Sequence, residues 1–121
     1  MAARSFPNTV AAVAAARRFA LDHVSGISVD VEEELLVMVS ELTTNSVRHT
    51  RTTFTLEVDQ SASEIYVAVT DTGPGNPTLR HPAPTESSGR GLQIVGALAH
   101  DWGVTHPSGD GGKTVWFKIQ Y

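Results

Sequence analysis

No cysteine occurs in the chain, which excludes disulfides and thiolate chemistry and leaves the compartment open. Basic residues form no block and the formal net charge is −4, so nothing points to nucleic acid as a direct ligand. Long apolar runs are missing as well. The alanine-rich stretch Val10–Ala16 is short, lacks a cleavage pattern and runs into Arg17 and Arg18. Neither a signal peptide nor a membrane span is therefore expected, and a cytoplasmic protein is. His23, His49, His81, His100 and His106 are scattered, with no second histidine or acid at zinc-ligand spacing. A catalytic or phospho-accepting histidine is not expected, and His49 reads as a hydrogen-bonded structural residue. There is no internal repeat and no linker.

What is present fits one soluble domain. At 121 residues, 40% hydrophobic and 18% charged, the chain can build one core and not two. Its longest helical pattern ends in VSELTTNSVRH, residues 39–49. Leu35, Leu36, Val39, Leu42 and Val47 recur at spacings of three and four, an apolar stripe. Glu41 and Asn45, four apart, project beside that stripe from one face. A carboxylate and a carboxamide so placed can hold a hydrated magnesium ion and orient a water or hydroxyl beside it. Taken alone, the pair reads as a solvated helix face.

Residues 1–7 read as a loose N-terminal arm or a short edge strand. A first helix is predicted from Asn8 or Thr9 as cap, with Val10, Val13, Ala16, Ala20 and Val24 near one face and Gly26 as its stop. Arg17 and Arg18 read as exposed helix charges. Asp30 and Glu33 read as a capping pair for the second helix, and Glu32, Glu33 and Glu34 suit its N-terminus. Phe54, Leu56 and Val58 alternate with polar residues in one strand, and Ile65, Val67 and Val69 in the next, which delivers Asp71 at its end. Residues 76–88 follow; four prolines between Pro74 and Pro84 exclude a helix or central strand there. That stretch reads as a surface loop or, between two glycine motifs, as a lid over a ligand. Residues 91–100 are predicted as a third helix with Leu92, Val95, Leu98 and Ala99 inward; residues 102–105 and 115–119 read as strands. Three helices and about four strands make an α+β two-layer sandwich, a mostly antiparallel mixed sheet with helices on one face.

Two glycine motifs carry the chemistry. Asp71-Thr72-Gly73-Pro74-Gly75 is a common kind of turn, and Gly73 and Gly75 also let backbone approach a ligand closely. Gly89-Arg90-Gly91-Leu92 opens a helix whose first amides lack internal acceptors and suit a triphosphate. The Walker pattern is absent, and the glycines do not follow a first strand as in a Rossmann fingerprint. An acidic chain that binds a nucleotide needs local positive potential, which Arg48 and Arg90 can supply.

Helix with Glu-x-x-x-Asn, then Asp-x-Gly-x-Gly at a strand end, then Gly-x-Gly-Leu: this order resembles the ATP-binding fold shared by gyrase and the sensor histidine kinases, the Bergerat fold. Closer still, from about Val10 to Ile119, the chain is similar to bacterial anti-sigma-factor kinases. The resemblance implies ATP and Mg2+ as cofactors, Glu41 as general base, Asn45 as magnesium ligand and Asp71 as acceptor for the adenine amine. Histidine kinases often carry a basic residue where Arg48 falls. It further implies Thr114 near adenine, although members often have Thr directly after the glycine, where this chain has Lys113. Implied partners are a small antagonist protein phosphorylated on serine, a sigma factor contacted near Ala16-Arg17, and a second copy in a homodimer; no nucleic acid or membrane is implied. Two rivals stand beside this: a nucleotide-binding module without catalysis, and an ATPase domain separated from a larger sensor. The chain offers no dimerisation helix with a phospho-accepting histidine, which counts against the second.

Overall fold

A computed structural model describes residues 1–49, 52–71, 87–106 and 112–121. Their order is β1 (Ala2–Phe6), α1 (Val10–Asp22), α2 (Val29–His49), β2 (Phe54–Gln60), β3 (Glu64–Asp71), α3 (Ser87–Leu98), β4 (Asp101–Thr105) and β5 (Lys113–Gln120). The five strands form one sheet in the order β1-β2-β3-β5-β4, and every pairing is antiparallel. The fold is thus α+β, as expected; the mixed component is not found, and the N-terminal segment adds a fifth strand. Residues 1–7, open between arm and strand, give β1 because Phe6 is buried at 2% exposure, stacks on Phe54 at 5.5 Å and meets Phe19 edge-on at 5.9 Å.

Period-two patterning builds the central strands. Phe54, Leu56 and Val58 on β2, Ile65, Val67 and Val69 on β3, and Val115, Phe117 and Ile119 on β5 are all buried on one face. Helices α1 and α2 lie over that face, with Leu35, Met38, Val39 and Leu42 of α2 at its centre. Each large side chain buried there contributes about 1.5–3 kcal/mol. The outer face carries Tyr66 and Trp116, stacked at 6.2 Å, with the Lys118 ammonium 5.6 Å from the Trp116 ring.

The ends of the helices show where the local reading shifts. Thr9, one of the two expected caps, accepts from the Ala12 amide at 3.3 Å. Asn8 instead spans to the far end of α2, donating to the carbonyls of Ser46 at 3.4 Å and Thr52 at 3.3 Å. The buried face of α1 is Ala12, Ala16, Phe19 and Ala20, and Val10 is 81% exposed. Helix α1 stops at Asp22, short of Gly26, whose φ of 67° then turns the chain. Ser28, not Asp30, caps α2: its hydroxyl accepts from the Val31 amide at 3.1 Å, which leaves Asp30 inside the first turn.

Candidate functional site

Helix α2 brings the first group of expected residues together. Glu41, Asn45 and Arg48 follow one another at i, i+4 and i+7, so they share one edge of the helix. Glu41 and Asn45 are half-buried and Arg48 is exposed. No hydrogen bond or ion pair joins Glu41 or Asn45 to another described residue. The polar side chains that α2 turns inward are different ones. Thr43 is fully buried and its hydroxyl donates to the Val39 carbonyl at 2.8 Å, a bond that satisfies the group within its own helix. Arg17, expected to be exposed, is partly buried and reaches across from α1, donating to the Ser40 hydroxyl at 3.2 Å beside Glu41. The backbone of α2 is held by packing against α1, α3 and the sheet, so its polar edge is presented from a rigid element.

Asp71 ends β3. It is 3% exposed, in register with Phe54 of β2 on one side and Lys113 of β5 on the other. It lies at the end of a row that is otherwise valine and isoleucine, and at that depth a carboxylate needs a polar or charged partner, which Asp71 does not lack. The neighbouring Thr70 hydroxyl is 2.8 Å from that of Thr114. Thr114 therefore spends its hydroxyl on the sheet, on the face turned away from Asp71. The sequence contained the signal for this in the alternation of β5, where Thr114 has the parity of Trp116 and Lys118.

The glycine motifs are reached only in part. Gly73 and Gly75 lie outside the described residues, as do residues 76–86 of the expected lid. Residues 87 and 88 are the first turn of α3, so the helix starts four residues before the expected position 91. Gly89 and Arg90 then fall in the first turn, where amides have no partner within the helix, whereas Gly91 and Leu92 lie past it. The helix amides without an internal partner therefore begin before the glycine pair.

Among the described residues no three His, Asp or Glu side chains gather into a metal site. A cleft of about 550 Å³ between β1 and α1 is lined by Arg4, Arg18, Phe19 and His23, and not by Glu41, Asn45, Arg48 or Asp71. No helix of the described residues is long and apolar enough to cross a membrane.

Comparison with known proteins gives the same outline. The model of the family described as "Histidine kinase-like ATPase domain" matches residues 6–119. Among solved structures, the chain is similar to the histidine kinase domain of a blue-light activated histidine kinase from Erythrobacter litoralis EL346. The identity is 26% and the TM-score 0.56 over 79% of this chain, which spans 50% of that one. No curated protein matches.

Proposed function

Since the chain belongs to the histidine kinase-like ATPase domain family, an assignment that implies ATP binding, we propose that it is a Mg·ATP-dependent serine kinase that regulates a sigma factor. What carries the reading is the pair Glu41 and Asn45 on α2, without a hydrogen-bond or ion-pair partner among the described residues, on the same helix-covered side of the sheet as the buried Asp71. Asp71 accepts a hydrogen bond from the adenine amine, and the first turn of α3, with Arg48 and Arg90 near the phosphates, supplies positive potential. Asn45 would hold magnesium, which would supply neutralising charge to the phosphates. Glu41 orients a seryl hydroxyl of the antagonist and accepts its proton. The seryl oxygen bonds to the γ-phosphorus, the bond from that phosphorus to the bridging oxygen breaks, and ADP leaves. Positioning and charge complementarity are most of what such a transfer needs. The partners are the antagonist, a sigma factor and a second copy of the chain.

Incubation with γ-labelled ATP, Mg2+ and candidate antagonists tests this. Label on an antagonist serine is the expected result. ATP binding with no transfer and no hydrolysis would instead make the chain a silent nucleotide-binding module.

A further inference from the structure

The register between β3 and β5 sorts Lys113 and Thr114 onto opposite faces of the sheet. Directly opposed residues of an antiparallel pair share a face, with Cβ atoms about 4.5–5.5 Å apart. Asp71 is opposed by Lys113, and Thr70 by Thr114. The helix-covered row runs Ile65, Val67, Val69, Asp71 on β3 and Ile119, Phe117, Val115, Lys113 on β5. All of these are buried except Lys113, which is half-buried at the open end of the row. Thr114 belongs to the outer row with Trp116 and Lys118, and its hydroxyl already meets that of Thr70 at 2.8 Å. A neighbouring strand residue points to the opposite face, so no rotamer carries Thr114 round to Asp71.

We propose that Lys113 is the second base-contacting residue of the nucleotide site and that Thr114 fastens the sheet behind it. This rests on the nucleotide reading above and deepens it. Adenine presents a donor, its exocyclic amine, beside a ring-nitrogen acceptor. The Asp71 carboxylate takes the first and the Lys113 ammonium, a donor only, gives to the second. Guanine carries an oxygen where adenine has the amine. That oxygen opposes Asp71 but accepts from Lys113, so the lysine moderates the preference for ATP over GTP.

Titration calorimetry of the full chain with ATP and with GTP decides the matter, using wild type, Lys113→Met, Lys113→Arg and Thr114→Val. Lys113→Met is expected to lose about tenfold in ATP affinity, the lower end for a hydrogen bond to a charged group, and more for GTP, so that the ATP:GTP ratio rises. Lys113→Arg keeps a donor and restores much of the binding. Thr114→Val is expected to melt at a lower temperature through loss of one cross-strand hydrogen bond. A folded Lys113→Met with wild-type affinity for both nucleotides would overturn the proposal. So would a Thr114→Val that loses ATP affinity while Lys113→Met retains it. A wild-type protein that binds no ATP would overturn the nucleotide reading itself, and this proposal with it.

Discussion

Replacing Glu41 and Asn45 by alanine, one at a time, separates chemistry from binding on a single helix edge. Both side chains are half-buried, and neither has a hydrogen bond or ion pair to a described residue. Truncation therefore breaks no hydrogen bond or ion pair among the described residues, and Val39 and Leu42, at 0% and 2% exposure, are not altered. Each variant should keep its stability within about 0.5 kcal/mol of wild type, the usual span for a surface substitution. Function should split. Glu41→Ala removes only the proton acceptor, so Mg·ATP still binds while phosphorylation of the antagonist falls roughly 10²–10⁴-fold. That loss corresponds to about 2.7–5.4 kcal/mol of barrier. Asn45→Ala removes a metal ligand, so affinity for ATP falls with Mg2+ present and changes little with EDTA. Calorimetry and single-turnover phosphotransfer, run side by side on both variants, read the two effects. Wild-type binding and transfer in both would reduce this edge to solvated helix and refute the assignment.

Three further expectations concern the scaffold. A Cβ added at Gly103 would lie 2.8 Å from Cζ2 of Trp116 and 2.9 Å from two more atoms of that ring, so Gly103→Ala should cost about 1–3 kcal/mol in a denaturant melt. Ser28→Ala should destabilise by about 0.5–2 kcal/mol and Asp30→Ala by less, because only the serine hydroxyl caps α2. Tyr66 has its pKa raised above 10.0 by partial burial and then by the nearby Glu57 carboxylate. The folded state thus holds that proton more tightly than the unfolded chain; the stabilisation is complete below pH 10.0 and is lost as pH rises from there through the folded value. Thermal melts should show this alkaline loss in wild type and a smaller one in Tyr66→Phe.

Much of the fold was legible because period-two burial leaves a plain trace: the alternations in β2, β3 and β5 are the core rows themselves. The stripe on α2 was legible for the same reason, although its buried set is Leu35, Met38, Val39 and Leu42, with Leu36 and Val47 at the margin. Helix α1 was legible with its cap, but its inward face only in part, since alanines occupy its several faces and only Phe19 distinguishes the inward one. Strand β1 is too short to announce itself; tertiary contact of Phe6 with Phe54 and Phe19 makes it a strand. The placement of Glu41 and Asn45 on one helix edge and of Asp71 at a strand end was legible in their spacing and in the alternation of β3. The face on which Thr114 lies was harder to read, because a motif counts positions along the chain, whereas a sheet counts faces. The early start of α3 escaped because the glycine pair drew the helix boundary to itself.

The central claim is that this domain holds ATP with Asp71 at the base, and titrating wild type and Asp71→Asn with Mg·ATP tests it most directly. Loss of a charge-assisted hydrogen bond is worth roughly 1.5–3 kcal/mol, so the variant should bind about 10- to 150-fold more weakly while remaining folded. Equal affinity in the two proteins would contradict the account.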